Sequence, residues 1–442
     1  MYVGDEVDEC AEVSRLTLRR AHESGLVTNW ELLRQLWERA LRPGAPPGGQ
    51  GGVDAMPRDA AARAVSTLLV SVPPLDLPAC QASLASLAFK TFGFGAVAAV
   101  PAALMSHYGA AAAGARRPEG NAAFAHVAST RCCLVVDAGF SASHASPIFG
   151  DRVVRTAVRR CAVGGKALTN YMKELISYRA VNVMEEYFII DDVKEKLCFV
   201  SEDVREDLQL AKKGPAGRLS PHRRTYVLPD GVHVTRGYVK ELESDEQRQR
   251  VEGALAGLSE GEAAAALAAA SLGGGTQQPQ QQPSAPGRGG AASKHAYDEQ
   301  TLVLNNERFA VPEILFRPSD LGAPQAGLVD AVVQAAEACH PDVQELLYGA
   351  VIVTGGCANM PGFVERLQAE LRPRVPERFE LHVCAAASGG GDAAAAAWFG
   401  GVAMAATGGG TPVGLVAVTQ AEWQHGGAAL CEARWAGCYC DL

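Results

Sequence analysis

Two apolar runs, far apart in the chain, each end in a glycine turn, and this pair constrains the fold more than any other feature. The first is VVDAGFSASH, residues 135–144. The second is VIVTGGCANMPGF, residues 351–363. A short β-branched run that stops at glycine is a strand delivered into a tight turn. The first turn carries Asp137, Gly139 and Ser141. Its backbone amides can wrap phosphate oxygens, and its carboxylate can hold Mg²⁺ through water. The second places Gly355 and Gly356 after the strand, with Pro361 expected at the first position of a helix, where an anion or nucleotide is favoured. Each turn also has a plainer reading, a bend that needs the φ angles only glycine adopts freely.

The segments around them alternate strand and helix. LVTNWELLRQLWERAL, 26–41, predicts a helix capped by Asn29 or Thr28, with Trp30, Leu33, Trp37 and Leu41 on one face. STLLVSV, 66–72, predicts a buried strand stopped by Pro73 and Pro74. Helices are expected over 79–90 and 96–108, and a strand over 153–163. Gly164 and Gly165 then open a helix over 168–177. The acidic and apolar alternation of 183–213 also reads as helix, as does 361–371. The interleaving gives an α/β class.

The chain has 442 residues, enough for two or three units, and 48% are apolar, although alanine inflates that share. Residues 241–299 belong to no core. They pass from a charged stretch through an alanine run into GGGTQQPQQQPSAPGRGG, a composition that cannot offset chain entropy, and read as a disordered surface insertion. The net charge of −9 argues against unaided, non-specific binding to nucleic acid. A local basic cluster, Lys212, Lys213, Arg218, Arg223 and Arg224, is a candidate DNA contact. Its bland alternative is a solvated loop. Arg152, Arg155, Arg159 and Arg160 form a second cluster, expected on surface strands.

Twelve cysteines without CxxC spacing or a signal peptide point to a reducing compartment and away from zinc. Cys132 and Cys133 are expected in the core, Cys438 and Cys440 at a frayed end. The apolar runs at 94–105 and 393–406 are shorter than the roughly 20 residues that span a bilayer, so no membrane role is expected.

Taken with their surroundings, the two turns resemble those of the actin family, and the resemblance runs over most of the chain. It rests on YVGDE at 2–6, GLVTNW at 25–30, DAG at 137–139 and GGKALTNYMKELI at 164–176. It continues in VKEKLCFV at 193–200, NERFAVPEILFRPSD at 306–320, TGGCANMPGF at 354–363 and WFGG at 398–401. DEC at 8–10, ISYR at 176–179 and VNVMEE at 181–186 are similar to its nuclear class, actin-related protein six.

The resemblance implies an actin-like, ribonuclease H-like, two-lobed fold. The first lobe would span 1–130, the second 131–240 and 300–384, with the insertion at 241–299 and a return to the first lobe at 385–442. It implies a non-catalytic nuclear subunit of a SWR-type remodeller that exchanges an ordinary histone dimer for a variant one. The partners would be the motor subunit, a small zinc-finger subunit and, through them, the nucleosome. Filament formation is not expected, and some protein would stay in the cytoplasm. The alternative is a cytoskeletal actin-type ATPase.

The implied nucleotide residues are Asp137, Gly139, Ser141, Gly165, Lys194, Glu195, Gly355 and Gly356, with His144 near the lytic water. They would hold ATP or ADP with Mg²⁺ weakly, or no longer. Three departures motivate that expectation. The family's first phosphate loop has no match, which is read as an N-terminal truncation. Its water-orienting glutamine aligns with Pro101, and such residues carry much of the rate in phosphoryl transfer. On the base side Met360 replaces an aromatic, Asp191 replaces an arginine, and the basic residue before WFGG is lost in 393–397.

Overall fold

The computed structural model describes residues 7, 10, 16–41, 59–117, 119–212, 220–240, 299–386, 391–406 and 412–441. Nearly all of the expected insertion at 241–299 lies outside them, as do Lys213 and Arg218. The chain divides into two compact units. One comprises Met1–Cys10, Arg15–Glu202 and Phe309–Leu442, the other Ala11–Ser14 and Asp203–Arg308.

The larger unit is built on a seven-stranded mixed sheet. Strand order runs Val383–Ala385, Val351–Thr354, Cys132–Ala138, Ser143–Phe149, Arg152–Val154 and Tyr439–Cys440, with Arg159–Cys161 paired to Ser143–Phe149. The first three strands are parallel, and Cys132–Ala138 turns back antiparallel into Ser143–Phe149. Cys132 through Val136 are almost wholly buried, as a continuous apolar run at the centre of a sheet requires. A second sheet of the same unit orders Val418–Thr419, Ala96–Pro101 and Thr67–Val72.

The capped helix forms as its sequence predicts. It spans Trp30–Ala40, and the Asn29 side chain accepts from the Leu32 amide. Leu33 and Leu41 are buried and the two tryptophans half-buried.

Five expectations are corrected. Residues 96–101 form a strand, not the start of a helix, and the helix begins at Ala102 and runs to Arg116. The run AVAAVP shows neither period, and pairing on both edges decides it. Thr67–Val72 is a strand but a half-exposed one, because it is the edge of that sheet. The strand expected over 153–163 is broken by a 3₁₀ turn at Arg155–Ala157. The helix expected from Pro361 starts at Phe363 after Gly362 at φ 82°. A Cβ on Gly362 would lie 2.2 Å from the Val200 carbonyl oxygen, and Val200 in turn donates its amide to the Pro361 carbonyl. Finally, the tail is not frayed. Cys438 is buried and Tyr439–Cys440 adds in parallel to Arg152–Val154.

The smaller unit contains an antiparallel sheet ordered Tyr238–Lys240, Arg224–Val227 and Thr301–Leu304, and the helix Val204–Ala211, N-capped by Asp203. Of the basic cluster, Lys212 is exposed at the end of that helix. Arg223 and Arg224 are half-buried, and Arg224 donates to the Pro221 and Arg223 carbonyls of its own loop.

Candidate functional site

The two glycine turns meet because the strands that precede them are parallel neighbours in register. Thr354 lies opposite Asp137, so both chains leave the sheet at the same level. Ligands of parallel α/β sheets collect at this carboxyl edge. Gly355 adopts φ 93°, and a Cβ there would stand 2.4 Å from the Ala138 carbonyl oxygen and 2.7 Å from Asp137 Oδ1. Only glycine lets the second turn close onto the first. Nothing stands within 4 Å of a Cβ on Gly356, so that residue faces open space.

In the first turn the Gly139 amide donates to the Ala142 carbonyl. Ser143 is buried and braces the turn by donating to the Val163 carbonyl. The amides of Phe140, Ser141 and Ala142 have no hydrogen-bond partner among the described residues. They are the donors left for an anion. The helix Gly165–Arg179 starts directly behind, but its first two amides are spent. Gly165 donates to the Gly139 carbonyl at 3.0 Å and Lys166 to the Phe140 carbonyl at 2.8 Å. Gly165 therefore serves the site as close packing, not as a donor.

Asp137 is half-buried at the end of its strand, and its carboxylate has no hydrogen bond or ion pair among the described residues. Burial pushes its carboxyl up to about 6. A carboxylate in that state gains most from an incoming cation. His144 sits opposite it on the next strand. Burial, then the charge of Arg160, pull this imidazole down to about 4, so it is neutral at pH 7.

Lys194 is buried, with 5% exposure, on the helix Tyr187–Leu197. Its ammonium donates to Asp191 Oδ1 at 2.6 Å and Thr169 Oγ1 at 3.0 Å, and Thr169 donates to the same Asp191 oxygen. Burial pulls the lysine down, but Asp191 outweighs it and holds it above the usual lysine range. Asp191 thus neutralises a buried lysine whose ammonium lies beside Gly165. Glu195, on the same helix, is exposed. Met360 and Cys357 are both buried. Burial first of all pushes the Cys357 thiol up to about 12, so it is no nucleophile at neutral pH.

Sequence reasoning missed two parts of this region. The i,i+3 spacing of Asp191 and Lys194 on one helix was its available signal for the first. The second is Arg20, whose guanidinium lies 4.4 Å from the Phe140 ring centroid and 4.6 Å from that of Tyr187. It ties the tip of the first glycine turn to the start of the Lys194 helix, and no local pattern announces it.

The family model for actin matches residues 1–436. A rice protein named Actin-related protein 6 (Oryza sativa subsp. indica) is 37% identical over 374 residues, covering 85% of this chain and 77% of its own. Actin-related protein 6 of Arabidopsis thaliana is 36% identical over 385 residues, covering 86% and 77%. Actin-like protein ARP6 of Yarrowia lipolytica is 30% identical over the same length and shares. Parallel strands that end in paired glycine turns, a mixed α/β sheet and this similarity along nearly the whole sequence agree: the chain belongs to the actin family.

Proposed function

We propose that this protein is a non-catalytic actin-related subunit of a nuclear chromatin-remodelling complex that deposits a variant histone into nucleosomes. The class comes from its similarity to proteins named actin-related protein 6 in plants and fungi. The observation that carries the non-catalytic reading is the Asp191–Lys194 pair, which consumes inside the protein a charge that a polyphosphate or a bound nucleotide would otherwise meet. Pro101 supports it. It is a buried residue with no side-chain donor or acceptor at the position that aligns with a water-orienting glutamine.

The residues do fit a weakly held nucleotide. Asp137 would meet the Mg²⁺ shell, and the Phe140, Ser141 and Ala142 amides would meet phosphate oxygens. Gly355 and Gly356 would leave room beside them. Bound ATP or ADP would supply rigidity between the turns, with no chemistry assigned to it. The partners in this reading are the motor subunit and a zinc-finger subunit. Lys212, Lys213, Arg218, Arg223 and Arg224 are the candidate contacts to DNA.

Affinity purification of the tagged full chain from nuclei tests the reading. The expected result is co-purification of a remodelling ATPase and a zinc-finger protein, with no ATP turnover by the isolated chain. Filaments on ATP addition, without those partners, would favour the cytoskeletal alternative instead.

A further inference from the structure

A cavity of about 300 Å³ lies in the larger unit away from the glycine turns. It is walled by the segment from Leu75 to Gln81, by Arg155, and by the last turns of the helix Gln420–Trp435 with Tyr439 beyond it. Its chemistry is lopsided. Asp76 and Glu432 both line it, and neither has an ion-pair partner among the described residues. Asp76 accepts only from the amide of its own neighbour, Leu77. Gln81, a third lining residue, has its side-chain carbonyl oxygen buried without a hydrogen-bond partner. The remaining wall is alkyl, from Leu75, Pro78 and three alanines of the helix end.

One lining cation exists, Arg155, and it does not satisfy these acceptors. Its guanidinium stands 5.5 Å from the Tyr439 ring centroid, and it forms no ion pair among the described residues. The site therefore presents two carboxylates against one guanidinium engaged with an aromatic ring. The backbone at its rim is also held in an unusual state. Leu75 adopts φ 64°, and its amide donates to the Tyr439 hydroxyl at 3.3 Å. A non-glycine residue kept in the left-handed region is strain that the surroundings must sustain, and such strain gathers at ligand clamps.

We propose that this cavity, formed by Asp76, Gln81, Glu432 and Tyr439, is a binding site for a guanidinium or ammonium group carried on an alkyl stem. The stem lies along Leu75, Pro78 and the alanines. The cationic head donates to the Asp76 and Glu432 carboxylates. The volume suits one arginine or lysine side chain and not a folded domain. Two sources supply this chemistry, a free small amine and a basic side chain of a partner protein. The proposal is independent of the glycine-turn site and of any nucleotide.

Isothermal titration of the full chain tests it with four probes: agmatine, glutarate, a five-residue Gly/Ser peptide with one central arginine, and the same peptide with citrulline in its place. Agmatine or the arginine peptide is expected to bind, while glutarate and the citrulline peptide do not. Tighter binding of the peptide than of agmatine assigns the source to a partner protein, and the reverse assigns it to a small amine. Glu432→Gln and Asp76→Asn, both near-isosteric changes at solvent-accessible positions, are each expected to weaken binding about tenfold, the value of one lost charge-assisted contact. Unchanged melting temperatures show that those variants remain folded. Binding of neither cationic probe, binding of glutarate instead, or binding unaffected by both substitutions in folded protein would overturn the proposal.

Discussion

Lys194 Nζ lies 2.6 Å from Asp191 Oδ1 inside a largely buried pocket, and Thr169 bonds to both. Breaking such a pair strands a charge in a poorly solvated place, whereas removing both partners does not. Lys194→Met and Asp191→Leu are each expected to lower stability by about 3 kcal/mol. The double substitution should cost well under the sum, which a double-mutant cycle in urea reads directly. Additive losses would mean that the two side chains do not interact in solution.

Asp137 and His144, opposite one another on neighbouring strands, pull stability in opposite directions as pH falls. The Asp137 carboxyl, raised to about 6, takes up its proton in the folded state before the unfolded chain does. Folding is therefore helped as pH falls from about 6 towards the ordinary carboxyl value near 3.8. The His144 imidazole, lowered to about 4, resists a proton that the unfolded chain accepts near 6.5. That contribution is present above 6.5 and is lost on acidification through the same window. Asp137→Asn is expected to raise stability at pH 7.5 by about 1–3 kcal/mol, towards the lower end because the side chain is partly solvated. It should also unmask a steeper decline between pH 6.5 and 4. Thermal melts across that range decide it, and a variant that tracks the parent at every pH would refute the assignment.

Gly355→Ala places a Cβ within 2.4 Å of a backbone oxygen at a φ that alanine rarely adopts. A loss of more than about 2 kcal/mol is expected. Gly356→Ala, with open space at its Cβ, should be nearly neutral for stability. Chemical denaturation of the pair separates a steric requirement from a general intolerance of the turn.

Arg20 stacks on two rings, and Arg20→Ala is expected to cost about 1–2 kcal/mol, with Arg20→Lys keeping part of it. The loss should appear locally as faster amide exchange at 139–142, measured by hydrogen–deuterium exchange. A uniform change across the larger unit would argue against a clamp.

The sequence revealed the parts whose signals are local. Asn29 capping a 3.6-period face, and Cys132–Ala138 entering a glycine turn, are both written in consecutive residues. The two turns were legible as a pair only because each carries its own glycines. What was hidden depends on distant chain. Ala96–Pro101 is a strand because it has strand neighbours on both sides, and they override the helix preference of its alanines. The tail strand Tyr439–Cys440 exists only through its pairing with Arg152–Val154. Asp191 takes its role from Thr169, 22 residues away in sequence, as well as from Lys194 on its own helix. Gly165, one of the nucleotide residues the resemblance implies, spends its amide on the Gly139 carbonyl, a bond that no local pattern shows.

The parallel pairing of Val136 with Val353 also has a kinetic consequence. The two strands are separated by about two hundred residues, so the carboxyl edge that holds both glycine turns closes only after a very long loop does. Until then Cys132–Val136 offers an unpaired, apolar edge, the kind of surface on which chains aggregate. Lengthening the segment between the strands adds little to the equilibrium cost, since closure entropy grows with the logarithm of loop size. The exposure time of that edge, and so the demand for chaperones during synthesis, is where variation in the length of the intervening chain should be felt.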